Sequence, residues 1–82
     1  MTAETYSNGK IIYRNADGEL HNENGPAVVW PDGSKDYYIN GKLHNENGPA
    51  IVWANGHRGY CINGEELTEA EFKAWQAEQT SK

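Results

Sequence analysis

The segments His21–Trp30, HNENGPAVVW, and His44–Trp53, HNENGPAIVW, are two copies of one motif. Their first seven residues are identical, and the second copy follows the first after 23 positions. Self-similarity at a fixed period is the signature of an architecture in which similar units stack on one another. The sequence therefore predicts a fold built from units of 23 residues.

The same spacing continues through the remainder of each unit. The further equivalent pairs are Asp32-Gly33 and Asn55-Gly56, Tyr37 and Tyr60, and Ile39-Asn40-Gly41 and Ile62-Asn63-Gly64. A degraded half-copy precedes them, in which Tyr6-Ser7-Asn8-Gly9 replaces the tryptophan and the glycine turn that follows it. We predict a single domain over residues 1–82, with the repeat region at residues 6–66.

Each unit has the composition of two short strands. Ala27–Trp30 and Ala50–Trp53 are apolar, β-branched and aromatic, as strands commonly are. The Asp-Gly and Asn-Gly pairs that follow favour tight hairpin turns, which need positive φ. Ser34–Ile39 and His57–Ile62 are the expected returning strands. The predicted fold class is mainly β, an antiparallel meander of about six short strands that advances one hairpin per unit.

A helix is expected to close this meander at its C-terminal end. In Leu67–Phe72, LTEAEF, Thr68 can bond the amide of Glu71 while the Glu71 carboxylate reaches back to Thr68. We predict a capping segment at residues 67–79, with the helix itself beginning at Glu69. Phe72 should face the last hairpin.

Stacking of the units places equivalent side chains next to each other. We expect Trp30 near Trp53, Tyr37 near Tyr60, and His21 near His44. Alternation along a strand puts Val28 and Trp30 on one face of the sheet. Tyr38 is the aromatic residue most expected to be exposed, because its equivalent in the next unit is Cys61.

The order of residues in the second unit resembles the MORN repeat. Asn40-Gly41-Lys42-Leu43-His44 precedes Gly48, an apolar strand, Asn55-Gly56 and Tyr60. The His-x-x-x-Gly-Pro-Ala form and the segment Leu67–Phe72 are similar to a MORN-like variant found in bacteriophage and giant-virus proteins. This resemblance covers about Asn8 to Phe72. It implies hairpin repeats, a viral or prophage origin, and a scaffold that binds proteins or lipids.

Charge and composition argue against several classes of function. The net charge is −5 and the seven basic residues are scattered, whereas binding to duplex nucleic acid or anionic membranes favours clustered Lys and Arg. No apolar run approaches the roughly 20 residues of a membrane span. Cys61 is the only cysteine, which is typical of a cytoplasmic protein. Neither a cofactor motif nor a nucleophile–base set is present, so no cofactor and no enzymatic activity are expected.

The duplicated His-x-Glu pairs, His21 with Glu23 and His44 with Glu46, allow three interpretations. Each histidine could bond loop backbone, contact a ligand, or join a metal site if stacking brings both pairs together. Repetition at a fixed period favours the first, because every hairpin must be rebuilt in the same way. No metal site is therefore predicted.

Surface binding is the function that these features favour. We expect a phage-encoded module that binds and inhibits a host defence protein through an aromatic sheet face, because Trp and Tyr are typical interface anchors. The alternatives are a sponge for a nucleotide second messenger and a structural scaffold. The uncovered sheet face and edge also predict a homo-oligomer, a dimer or larger. The candidate binding residues are Trp30, Tyr37, Tyr38, Trp53, Tyr60, His21, His44 and Arg58.

Overall fold

The computed structural model describes residues 2–80. Within this range the chain forms nine strands and one helix. Their bounds are β1 Thr2–Thr5, β2 Ile11–Arg14, β3 Val28–Val29, β4 Lys35–Asp36, β5 Tyr38–Ile39, β6 Lys42–Leu43, β7 Ile51–Val52, β8 Arg58–Ile62, β9 Glu65–Leu67 and α1 Glu69–Thr80.

Seven of these strands form one antiparallel sheet in the order β1-β2-β3-β4-β7-β8-β9, and β5 and β6 pair separately. The predicted fold class, a mainly antiparallel meander closed by a C-terminal helix, is confirmed. The number of strands exceeds the expected six. β1 precedes the half-copy, the returning strand of the first unit is interrupted at Tyr37, and the short strands β6 and β9 follow the two Asn-Gly turns. The interruption is local, because the Tyr37 amide still donates to the Ala50 carbonyl at 2.7 Å.

The glycine turns are of two kinds, where the sequence suggested one. At Asn40-Gly41 both residues have positive φ, 49° and 80°, as a two-residue hairpin turn requires. At Asp32-Gly33 only the glycine has a positive φ, 94°. There the Gly33 amide donates to the Trp30 carbonyl at 3.0 Å, which closes a three-residue loop that needs one left-handed residue. The second unit repeats both turns.

Strand register divides the side chains between two faces of the sheet. Ile12 is paired with Val28, Val28 with Asp36, Asp36 with Ile51, and Ile51 with Gly59. Directly paired residues share a face, and we call this one the first face. The opposite one, the second face, carries the alternate residues.

The core is thin and lies on both faces. Ile12 and Val28 are buried on the first face, and Ala27 and Ala50, on the second face, have no exposed surface at all. Phe72 of α1 is 2% exposed.

The predicted helix cap and the predicted packing of Phe72 on the last hairpin are confirmed. The Thr68 amide donates to Glu71 Oε1 at 2.8 Å, and the Glu71 amide donates to Thr68 Oγ1 at 3.1 Å. Leu67, which the predicted segment 67–79 included, instead ends β9, because it is paired with Tyr60. The Phe72 ring lies 4.8 Å from the Tyr60 ring, so α1 covers the second face of the last hairpin. In residues 2–80 no helix is long and apolar enough to cross a membrane.

Candidate binding surfaces

Three exposed aromatic side chains lie at equivalent positions of successive units. Tyr6, Trp30 and Trp53 are 42%, 37% and 45% exposed. Trp30 and Trp53 lie two residues beyond Val28 and Ile51, so alternation places them on the first face. We call Tyr6, Trp30 and Trp53 the aromatic row.

Local contacts hold these rings in place without burying them. Trp30 Nε1 donates to Asp36 Oδ2 at 2.9 Å. Lys10 Nζ lies 4.2 Å from the centroid of the Trp30 ring and 5.5 Å from that of Tyr6, within the range of cation–π attraction. Trp53 lies over Gly59, where an added Cβ would meet the ring at 3.5 Å. Each ring therefore has a local contact on the sheet while remaining exposed.

Trp30 and Trp53, which were expected near each other, lie on the same face of the sheet but do not make ring contact. Trp30 follows β3 and Trp53 follows β7, and β4 lies between these strands. Two strand spacings separate the positions by about 10 Å. Among the described residues, the ring contacts are those of Tyr60 with Phe72 and of Phe72 with Trp75. The row is a series of separate anchors.

Tyr38 was expected to be the most exposed aromatic residue, but it is half-buried and does not belong to the row. Burial raises the pKa of its phenol, and the neighbouring Asp36 and Cys61 add to the effect. The Tyr38 side chain is thus partly withdrawn from solvent. Tyr6, which was not predicted as a binding residue, takes its place among the exposed rings. The alignment of Tyr6 with the tryptophans was the signal that could have identified it.

A cavity of about 670 Å³ lies between the two HNENGP loops. Its walls are residues 22–25 of the first loop and residues 44–49 of the second, and Tyr37 and Ile39 line it between them. We call it the inter-loop groove. It contains two of the predicted binding residues, Tyr37 and His44, and two carboxylates, Glu23 and Glu46.

The walls of the groove are held by the asparagines of the motif. Asn22 Nδ2 donates to the Pro26 carbonyl at 3.1 Å, and Asn22 Oδ1 accepts from the Asn24 amide at 3.0 Å. Asn45 makes the same two bonds in the second loop, at 2.9 and 3.0 Å. Loops that bond internally in this way have their shape fixed by their own side chains.

Each histidine bonds the next hairpin turn. His21 Nδ1 accepts from the Asn40 amide, and His44 Nδ1 accepts from the Asn63 amide, both at 2.9 Å. Because Nδ1 is the acceptor, the proton of a neutral ring lies on Nε2. In His44 this nitrogen contacts Glu46 Oε2 at 2.9 Å. Across residues 2–80 no three His, Cys, Asp or Glu side chains are close enough to hold a metal ion.

The remaining predicted residues lie beside the helix. Tyr60 is covered by Phe72, and its hydroxyl donates to Glu69 Oε2 at 3.0 Å. Arg58 is exposed and lines, with Tyr60 and residues 66–69, a smaller cavity of about 360 Å³. The eight predicted residues are therefore divided among several surfaces.

The chain matches no model of a known protein family, no curated protein and no solved structure. The MORN-like resemblance rests on the motifs of the sequence.

Proposed function

We propose that this chain is a non-enzymatic binding module, a phage-encoded protein that acts in the host cytoplasm by binding and inhibiting a host defence protein. The observation that carries the binding role is the aromatic row, three exposed rings at equivalent positions on one face. Large aromatic side chains supply much of the energy of protein interfaces. The phage origin and the host target come from the MORN-like motifs.

The charge of the chain favours a basic partner. A net charge of −5 on 82 residues accelerates encounter with a positively charged surface and slows encounter with an acidic one. The carboxylates of Glu4 and Asp36 lie close to the row, where they contact Tyr6 and Trp30. A partner surface with apolar pockets flanked by Lys or Arg is the best complement.

The test is a pull-down from bacterial host lysate with the tagged full chain. The wild type should recover one dominant protein, and Trp53→Ala and Tyr6→Ala should each weaken its recovery about tenfold or more, as loss of an anchor does. Lys73→Ala changes an exposed residue of α1 and serves as the control, with recovery unchanged. Thermal unfolding of each variant verifies the fold. Equal recovery by wild type and row variants would contradict the proposed surface.

The nucleotide-sponge alternative has less support. Arg14, a candidate for phosphate contact, donates through Nε to Glu4 Oε1 at 2.7 Å, and this carboxylate raises the pKa of the guanidinium. His21 and His44 each use Nδ1 to bind a backbone amide. A thermal-shift screen with linear and cyclic nucleotides distinguishes the functions, since a sponge shifts the midpoint and the protein-binding module does not.

Self-association through the edge of the sheet or through its first face is a competing function. The outer edge of β1, Thr2–Thr5, has no strand beside it in the described chain, and exposed edges favour pairing with another chain. We therefore expect a dimer or larger assembly by light scattering at micromolar concentration. A monomer mass would contradict it, and a dimer dissociated by Trp53→Ala would favour the structural scaffold.

A further inference from the structure

The two units of the repeat differ in how the second face is covered. In the last unit, the Phe72 ring lies on Tyr60 with 4.8 Å between centroids. The Trp75 ring follows Phe72 at 6.2 Å. Gln76 Nε2 then donates to the Glu46 carbonyl of the second loop at 2.9 Å. The helix α1 thus extends from Tyr60 to the neighbouring HNENGP loop.

The preceding unit has the same tyrosine and the same loop motif, but no helix of the described chain covers them. Tyr37 is the equivalent of Tyr60, and the first HNENGP loop is the equivalent of the second. No ring contacts Tyr37 among the described residues, and the inter-loop groove of about 670 Å³ is open beside it. The groove therefore presents a tyrosine beside a pre-organised loop, the combination that binds Phe72 and Gln76 one unit later.

The charge of the groove selects among possible occupants. Glu23 and Glu46 both lie in its walls and both are exposed. The helix of a second copy is a poor match, because α1 carries Glu69, Glu71 and Glu78 against one lysine, Lys73. Like charges brought together across an interface oppose binding. A helix with an aromatic residue and a basic flank combines the packing of α1 with the opposite charge.

We propose that the inter-loop groove is a second docking site, which receives an aromatic side chain from a basic amphipathic helix of a partner protein. The aromatic ring packs on Tyr37 as Phe72 packs on Tyr60, and Lys or Arg of the same helix contacts Glu23 and Glu46. This site lies on the second face, opposite the aromatic row, and does not depend on the proposed function.

The probe is a labelled synthetic peptide with the sequence of residues 67–80 that carries Glu69→Lys and Glu78→Lys. It retains the capping pair Thr68 and Glu71 and both aromatic residues. Fluorescence anisotropy with the full-length protein measures its affinity. We expect it to bind about tenfold tighter than the same peptide with Phe72→Ala, which loses the anchor. Its affinity should also exceed that of the unmodified acidic peptide by about the same factor.

Two protein variants locate the binding. Glu23→Lys reverses a charge in the groove and should weaken the basic peptide about fivefold or more, whereas Glu65→Lys makes the same charge change in β9 and should have an effect below about twofold. Tyr37→Ala should also weaken binding, and Trp53→Ala, in the aromatic row, should not. Because Glu23 is exposed, its substitution tests the site even if Tyr37→Ala does not fold.

Three outcomes would overturn the proposal. If the Phe72→Ala peptide binds as tightly as the basic peptide that retains Phe72, the binding is charge attraction without an aromatic pocket. Equal effects of Glu23→Lys and Glu65→Lys would place binding outside the groove, and equal affinity of the acidic peptide would identify self-docking. The row variants leave the groove residues unchanged, and the groove variants leave the row unchanged, so failure of either proposal is recognised separately.

Discussion

His44 Nδ1 accepts a hydrogen bond from the backbone amide of Asn63, 2.9 Å away and 19 residues later in the chain. Asn63 has a left-handed backbone, with φ 52°. His21 and Asn40 make the same bond one unit earlier, also at 2.9 Å. The histidine of each HNENGP motif therefore fixes the hairpin turn that ends its unit, which gives a structural reason for its duplication.

Substitution of His44 by alanine should destabilise the protein. The Asn63 amide loses its acceptor, and the net cost of one such bond is about 1 kcal/mol because water reaches this exposed turn. Urea unfolding followed by tryptophan fluorescence measures the change. His57→Ala is the matched control, because His57 is exposed and its backbone, rather than its ring, makes its hydrogen bonds, with Asn55 Oδ1 and the Trp53 amide. Equal losses in both variants would contradict the proposed role of the bond.

Asn63 itself should tolerate glycine but not alanine. Its positive φ costs a residue with a Cβ about 1 kcal/mol, whereas asparagine and glycine adopt this conformation readily. We expect Asn63→Ala to lower the free energy of unfolding by about this amount and Asn63→Gly to leave it nearly unchanged. Asn24→Ala, in an exposed loop, controls for loss of the amide group. A higher free energy of unfolding for Asn63→Ala than for Asn63→Gly would contradict this account.

The helix cap should be worth about 1 kcal/mol to the whole domain. Thr68→Ala removes the acceptor of the Glu71 amide and the start of the helix that covers Tyr60. Circular dichroism should show lower helix content, and Thr80→Ala at the other end should change little. In a double-mutant cycle, Thr68→Ala and Glu71→Ala should not be additive, since each residue bonds the other. Strict additivity would show that the cap is not formed in solution.

The alanine that ends each HNENGPA motif should not accept a larger side chain. Ala50 has no exposed surface, so Ala50→Leu should cost about 1–3 kcal/mol by overpacking. Ala54→Leu, four residues later at an exposed turn, should cost little. Thermal unfolding of the two variants compares the sites, and similar melting temperatures would mean that the core can expand at Ala50.

Stability should decline in alkaline solution. Burial raises the pKa of the Tyr38 phenol and of the Cys61 thiol in the folded state. Above the ordinary values, about pH 9 for the thiol and about pH 10 for the phenol, the unfolded chain releases protons that the folded chain retains. The unfolded state then binds fewer protons, so the free energy of unfolding falls as the pH rises.

Urea unfolding between pH 8 and pH 11 tests this dependence. Tyr38→Phe should flatten the decline, whereas Tyr6→Phe, which removes an exposed phenol, should not. An unchanged slope in Tyr38→Phe would contradict the assignment to Tyr38.

Much of the fold could be predicted because its signals are local. The Asn40-Gly41 and Asn63-Gly64 turns have the expected positive φ values, and the Thr68–Glu71 cap forms as its spacing indicates. The exposed surface was harder to predict. Tyr38 is half-buried rather than exposed, and among the described residues Trp30 makes no ring contact with Trp53, because both outcomes depend on contacts between strands that the sequence does not specify.

The sequence by itself determined the period, the turns, the antiparallel meander and the closing helix, because each depends on residues only a few positions apart or on repetition. The tertiary structure alone decided what each HNENGP motif contacts. In the folded chain, His21 and His44 accept hydrogen bonds from turns 19 residues away, and Tyr6 is exposed together with the two tryptophans. The tertiary structure also covered Tyr60 while leaving the groove beside its equivalent, Tyr37, open. The physical reason is that two units with the same motif have different neighbours in the fold, and burial depends on neighbours.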